Sequence, residues 1–103
     1  MSHGVVSDRT TVVQSRDQVG TELTDEVVIL HLASGVYYGL EGVGARIWSL
    51  IREPVTVEAV VANLVAEYDV EREECLRDVQ ELLQRLSAEG LVEIRDASDA
   101  PVP

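Results

Sequence analysis

The 103-residue chain contains one cysteine, two histidines, no lysine and no phenylalanine. A single cysteine cannot form an internal disulfide, which fits a reducing compartment, and it cannot supply a zinc cage of thiolates. No apolar run approaches the roughly 20 residues that span a bilayer, and the N-terminus lacks the apolar core of a signal peptide. These absences predict a single globular domain in the cytoplasm, without a membrane segment.

Basic residues are also scarce. Eight arginines stand against 19 aspartates and glutamates, so the formal net charge is -11 at pH 7. A protein that binds the phosphates of DNA or RNA needs a basic face. The charge therefore argues against nucleic acid as a partner.

The sequence offers no convergent catalytic set. His3 lies in a polar start and His31 lies within an apolar strand, so neither has the partners of a metal site or a general base. Cys75 falls on the apolar side of a helix, where a buried structural thiol is the ordinary interpretation. The acidic runs are typical of a solvated surface, and the glycines of the 39–44 segment lack the lysine of a phosphate loop. We predict no enzyme activity, no metal and no cofactor.

The first half of the chain has the patterns of β-strands. Residues 1–10 are polar and are expected to be flexible. Strands are predicted over residues 11–13, 18–23, 26–32 and 36–40. Short turns at Thr24-Asp25 and at Gly35, which can take a positive φ, would join them into an antiparallel meander.

From residue 43 the apolar spacing becomes helical. The first helix is expected to end before Pro54, the second to be capped by Thr56, and the third to end at Gly90 in a left-handed conformation. Residues 91–94 are expected to be extended, and residues 95–103 to form a disordered tail. The order predicts an α+β domain over residues 11–94, with a three-stranded antiparallel sheet followed by three helices, similar to a winged helix-turn-helix.

Two adjacent tyrosines, Tyr37 and Tyr38, stand out because the side chains of neighbouring strand residues point to opposite faces. One interpretation is that one tyrosine packs into the core while the other covers the sheet. The alternative interpretation rests on the position of the strand, which is the last of the meander and is therefore expected at an edge of the sheet. Neither a charge nor a proline protects that edge, which suits the addition of another strand.

Three stretches in order carry a family resemblance: GVYYGLEGVGARIWSLI, PVTVEAVVANLVAEYDV and DVQELLQRLSAEGLVE. Within a match over roughly residues 18–94, they resemble PqqD-like proteins, the leader-recognition elements of pathways that modify ribosomally made peptides. Among these, the chain is most similar to the standalone recognition proteins of lasso-peptide biosynthesis. One position departs from the family pattern, because Glu41 stands where an asparagine usually caps the first helix.

The resemblance implies a non-catalytic adaptor that binds the leader of a precursor peptide. It also implies two partners, a separate cysteine protease that removes the leader and an ATP-dependent cyclase. The leader would add as a strand to Val36, Tyr37, Tyr38, Gly39 and Leu40. It would also rest against the third helix and its approach, at Asp69, Glu73, Leu76, Val79, Gln80 and Leu83. In lasso systems the leader typically offers a tyrosine, a proline and a leucine as anchors.

A winged-helix transcriptional regulator, or another protein-interaction module, is the alternative reading from a different class. A regulator of this kind needs a basic recognition helix. The third helix region instead sets three arginines against five carboxylates, which are Glu73, Glu74, Asp78, Glu81 and Glu89. The charge of the helix therefore favours the adaptor.

Overall fold

A computed structural model describes residues 6–95, which form two three-stranded antiparallel sheets and three helices. In chain order the elements are β1 (Thr11–Gln14), β2 (Gln18–Glu22), β3 (Glu26–His31), β4 (Tyr37–Glu41), α1 (Val43–Leu50), β5 (Val55–Thr56), α2 (Val57–Glu67), α3 (Arg72–Ala88) and β6 (Val92–Arg95). One sheet has the strand order β2-β3-β4, and the other has the order β5-β1-β6.

The α+β class is confirmed, but the predicted order of one sheet followed by three helices is wrong. The likeness to a winged helix-turn-helix is not confirmed. β1 lies between β5 and β6 in a separate sheet, and β5 comes from the segment between α1 and α2. β5 has two residues, too few to show the alternation that identifies a strand in a sequence. Its pairing depends on a partner strand that is distant in the chain.

Local signals at turns and helix ends are confirmed. The Thr56 hydroxyl accepts a hydrogen bond from the backbone N–H of Ala59 at 3.2 Å, as a helix N-cap does. Gly35 and Gly90 have φ angles of 71° and 79°. The N–H of Leu91, which follows Gly90, donates back into the last turn of α3 and closes that helix. These features depend on a few neighbouring residues, and so a sequence can reveal them.

The core lies between the two sheets and the three helices. Trp48, which is 2% exposed, is the largest of the fully buried side chains. Around it the buried residues from every layer form one cluster, which includes Val12, Ile29, Ile51, Leu64, Leu83 and Leu91. Complete burial of one such side chain contributes roughly 1.5–3 kcal/mol. This cluster fixes the inner face of β3 against the helices and so leaves the other face of its sheet outward.

The structure describes half of the predicted flexible N-terminus and almost none of the predicted C-terminal tail. Of the start that was expected to be flexible, residues 6–10 are attached to the domain. Val6 and Thr10 are both 2% exposed, and the amide of Gln80 donates a hydrogen bond to the Val6 carbonyl. His3 and nearly all of the predicted tail, residues 96–103, lie outside the described residues. Between residues 6 and 95 no helix has the length and apolar character needed to cross a membrane.

Candidate binding site along strand β4

β4 is an edge strand. It pairs antiparallel with β3, Ile29 opposite Tyr38 and Val27 opposite Leu40, and within residues 6–95 no strand pairs with its other side. The prediction that the last strand of the meander lies at an edge is thus confirmed. Unpaired N–H and C=O groups along such an edge can accept a further strand.

The register shows which backbone groups of β4 are open. The N–H of His31 donates to the carbonyl of Val36 at 2.9 Å in the same register as the β3–β4 pairing. Hydrogen-bonded and non-hydrogen-bonded pairs alternate along an antiparallel ladder. The backbone groups of Tyr38 and Leu40 therefore point towards β3. Those that point to the open edge belong to Tyr37, Gly39 and Glu41.

The two tyrosines have opposite surroundings. Tyr37 points away from the helices and is 67% exposed, whereas Tyr38 lies on the inner face and is half-buried. The Tyr38 hydroxyl donates to Oε1 of Glu89, just after α3, at 2.8 Å. This hydrogen bond is the main reason why the pKa of Tyr38 is raised above 10.0, with smaller contributions from burial and from the Glu89 charge. Tyr38 thus links the edge strand to the end of α3.

A second contact brings β4 and α3 together through α1. A Cβ built on Gly44 would lie 3.7 Å from Cδ2 of Leu40 and 3.9 Å from Cδ2 of Leu82. Leu40 and Leu82 are both half-buried. Together with Tyr38, they give the inner side of the edge an apolar surface. We call this surface and the open edge the β4–α3 site, formed by Tyr37, Tyr38, Gly39, Leu40, Leu82 and Glu89.

The rotation of α3 determines which of its residues lie beside β4. Successive helical residues are rotated by about 100°, so residues two turns apart share a side. Leu82 and Glu89 are related in this way, and Asp78 and Arg85 each precede one of them by a turn. This side therefore carries Asp78, Leu82, Arg85 and Glu89. It combines one apolar side chain with two carboxylates and one guanidinium.

The α3 residues nominated from the sequence lie elsewhere on the helix. Val79 and Leu83 are buried in the core at 1% and 0% exposure. Gln80 lies about 160° from Leu82 around the axis, and its hydrogen bond to the Val6 carbonyl ties it to the start of the domain. Glu73 shares the side of Gln80, since it precedes Gln80 by two turns. Val79 and Leu83 belong to the core cluster against which Tyr38 and Leu40 of β4 pack.

The remaining nominated residues are placed as follows. Val36 precedes β4 and is 45% exposed. Leu76 is half-buried against the core, and Asp69 is exposed in the connection between α2 and α3. Leu82 and Glu89 are not among the site residues nominated from the sequence. The pattern in the sequence that could have identified them is the spacing of one helix side, formed by Asp78, Leu82, Arg85 and Glu89.

Groups capable of chemistry lie outside the β4–α3 site. His31 is on the inner face of β3, where Nδ1 is 2.9 Å from the Ser34 hydroxyl and Nε2 is 3.4 Å from Asp17 Oδ2. The Ser34 oxygen also accepts the N–H of Val36, so the group holds the β3–β4 turn. Cys75 is buried, and burial raises the pKa of its thiol. Among residues 6–95 no group of three or more His, Cys, Asp or Glu side chains could hold a metal ion.

Comparisons with known proteins identify relatives of this fold. The family model described as Coenzyme PQQ synthesis protein D (PqqD) matches residues 26–92. The structure of TbiB1 in complex with the TbiA(beta) leader peptide has a TM-score of 0.75 and 42% identity, over 79% of this chain and 94% of that chain. Lasso peptide synthetase B1 complexed with the leader peptide has a TM-score of 0.72 and 24% identity, over 80% of this chain and 96% of that chain. No curated protein sequence matches the chain significantly.

The matched segment runs from the first residue of β3 to the first residue of β6 and includes β4, the three helices and both tyrosines. It covers more than half of the chain, and the resemblance that the tyrosine, tryptophan and glycine motifs indicated is confirmed. The chain therefore belongs to the PqqD family.

Proposed function

We propose that this protein is a non-catalytic adaptor in lasso-peptide biosynthesis that binds the leader of a ribosomally made precursor peptide. The observation that carries this proposal is the open edge of β4 beside α3. An extended peptide can pair with the outward N–H and C=O groups of Tyr37, Gly39 and Glu41. Strand addition of this kind takes its affinity from backbone hydrogen bonds and its specificity from pockets for alternate side chains.

The inner surface of the β4–α3 site supports the same assignment. Every second residue of an added strand points to the inner face, where Tyr38, Leu40 and Leu82 offer apolar contacts. Leader anchors that are apolar or aromatic fit this surface. The relationship to TbiB1, which is 42% identical and was solved with a leader peptide, is independent support for a leader as the ligand.

We assign no reaction to the adaptor itself. It presents the bound precursor to a separate cysteine protease, which removes the leader, and to an ATP-dependent cyclase. Both steps follow release of the precursor from the ribosome, and so we place the complex in the cytoplasm. The alternative, a winged-helix transcriptional regulator, has no support from charge, because the net charge of -11 opposes binding to DNA.

The experiment that tests leader binding compares the two edges of one sheet. Gly39→Pro removes an outward N–H at the centre of β4, and proline is tolerated mainly at sheet edges. Glu22→Pro is the matched control, because the register of β2 turns the N–H of Glu22 to the opposite open edge. Fluorescence polarisation with a labelled leader of the cognate precursor measures affinity, and the TbiA(beta) leader serves as a second probe.

We expect Gly39→Pro to weaken leader binding at least about tenfold, since it loses a ladder hydrogen bond and blocks close approach. Glu22→Pro should bind within twofold of the wild type. Circular dichroism and the melting temperature report whether both variants are folded. Equal affinities in two folded variants would remove strand addition at β4.

A further inference from the structure

The side of α3 that lies beside β4 carries one basic residue, Arg85. Its side chain is exposed, and it stands between Leu82 and Glu89 along the helix. Because successive helical residues are rotated by about 100°, Arg85 lies about 60° from Leu82 and about 100° from Leu86. Leu86 is buried in the core. Arg85 is therefore on the outward side of Leu82, at the rim of the β4–α3 site.

The guanidinium of Arg85 forms no ion pair among residues 6–95, although four other arginines of the chain each pair with a glutamate. Glu81 and Glu89 lie four residues before and after Arg85, at a spacing that allows ion pairs on a helix. Glu89 instead accepts the hydroxyl of Tyr38 at 2.8 Å. The positive charge at the rim is thus available to a ligand.

The geometry of strand addition brings one side chain of the leader close to this charge. A strand added to β4 would lie about 4.8 Å beyond it, and every second residue would point to the inner face. One inward residue would lie opposite Leu40, beside Leu82, and the next would lie opposite Tyr38. Since α3 passes from Leu82 near Leu40 to Glu89 near Tyr38, Arg85 stands between these two positions. The inward residue opposite Tyr38 is within reach of the guanidinium.

We propose that Arg85 selects the leader by binding an aspartate or glutamate that stands two residues from an apolar anchor. The proposal rests on the proposed function, since it names a side chain that the β4–α3 site recognises in the same peptide. An arginine can donate two parallel hydrogen bonds to a carboxylate, which fixes the position of the carboxylate as well as its charge. The pair would therefore set the register of the leader along β4.

The charge of the whole protein favours an acid at one position of the leader only. At a formal charge of -11 the protein repels an acidic peptide in general. Asp78 and Glu89, on the same side of α3, add to this repulsion. A carboxylate of the leader is favourable where it meets Arg85 and unfavourable elsewhere along the site, and both effects contribute to specificity. A basic residue in the same place would meet the guanidinium directly.

The test compares two arginines of the same helix. Arg85→Glu reverses the charge at the rim, whereas Arg77→Glu makes the same change about 140° around the axis from Leu82. Both arginines are exposed, and neither belongs to an ion pair in the described part of the chain. The two variants therefore have the same net charge and differ only in where it changes.

A third variant, Arg85→Gln, removes the charge without placing a new carboxylate beside Glu81 and Glu89. Circular dichroism and thermal unfolding report whether each variant is folded. Fluorescence polarisation with the labelled leader of the cognate precursor measures affinity. A set of leader peptides, each with one acidic residue replaced by lysine, identifies the partner of Arg85.

We expect Arg85→Gln to weaken leader binding about fivefold and Arg85→Glu at least about tenfold, while Arg77→Glu stays within about twofold of the wild type. The difference between the wild type and Arg85→Gln should shrink as salt rises, because screening weakens exposed ion pairs. One lysine-substituted leader should bind the wild type poorly and should regain affinity for Arg85→Glu.

Equal losses in Arg85→Glu and Arg77→Glu would overturn the inference, because they would show a general response to net charge. An Arg85→Glu variant that binds as tightly as the wild type would also overturn it, and so would a lysine series in which no peptide regains affinity. These results would leave the proposed function standing, since the wild type still binds the leader. If the folded wild type binds no leader, the proposed function fails and this inference fails with it.

Discussion

The two edge strands of the β2-β3-β4 sheet look alike in the sequence and differ in their surroundings. β2 reads QVGTE and β4 reads YYGLE, each with five residues, a central glycine and a final glutamate. Beneath β2 the ring of Trp48 comes so close that a Cβ on Gly20 would lie 3.2 Å from Nε1. On β4, the Cβ position of Gly39 has no atom of the described residues within 4 Å beyond its two chain neighbours. Gly20 lies opposite Ile29 and faces the core, whereas Gly39 lies opposite Val28 and faces outward.

The ends of the two strands differ as well. At the end of β2, Glu22 forms an ion pair with Arg52, just after α1. On β4, Tyr38 instead reaches Glu89 beyond the end of α3. An open ladder alone does not make a docking site, since both edges have one. The difference is α3, since Tyr38 of β4 bonds to Glu89 and Leu40 of β4 lies close to Gly44, as Leu82 of α3 does.

The largest expected effect comes from removing the Trp48 ring, which packs beneath β2. Trp48→Ala should lower the free energy of unfolding by about 3–5 kcal/mol, because it leaves a large cavity in the core. Urea unfolding followed by circular dichroism measures the change. Tyr37→Ala, at the exposed surface of β4, should stay within about 0.5 kcal/mol of the wild type. A loss below about 1 kcal/mol in Trp48→Ala would contradict the packing described for β2.

The next effect tests which side of α3 belongs to the open edge. Leu82 and Leu76 are both half-buried leucines of the same helix. Leu82→Ser should weaken leader binding about tenfold, or about 1.4 kcal/mol, whereas Leu76→Ser should leave affinity within twofold. Both should lose similar stability in thermal unfolding. The reverse order of affinities would show that the helix side predicted from the sequence is the one that binds.

A smaller effect compares the central glycines. Gly20→Ala should destabilise the fold by about 1 kcal/mol, since its methyl group meets the indole of Trp48 and forces it to shift. Gly39→Ala should be neutral or stabilising by about 0.5 kcal/mol, because it reduces the entropy of the unfolded chain. Chemical unfolding of the two variants under the same conditions measures both changes. Equal destabilisation would contradict the opposite orientations of the two glycines, with Gly20 facing the core and Gly39 facing outward.

The smallest effect concerns the contact between Tyr38 and Glu89. The folded pKa of Tyr38 is raised, so the contribution of the neutral phenol is fully present below the unfolded pKa of about 10 and is lost as pH rises through the folded pKa. The small stability difference between wild type and Tyr38→Phe should therefore be constant from about pH 6 to 9 and should shrink above about pH 10. Thermal unfolding across this range measures it, and Glu89→Gln should lower the phenolic pKa in an ultraviolet titration.

Much of the fold followed from short-range patterns. The alternation of residues 26–32 and the returning strand after Gly35 were sufficient to predict β3, β4 and the edge position of β4. Thr56 and Gly90 marked helix ends because capping involves atoms only a few residues apart. The aromatic and glycine motifs in order were sufficient for the family.

The sequence alone thus determined the class of fold, the family, the acidic character and the strand that carries the open edge. Only the tertiary structure decided that β1 leaves the meander to pair with β5 and β6, and that α3 turns Leu82 and Glu89 towards β4 while Gln80 holds Val6. The physical reason is the range of the interactions. Caps and turns depend on near neighbours, whereas strand partners and helix rotation follow from how distant apolar side chains, above all those around Trp48, share one core.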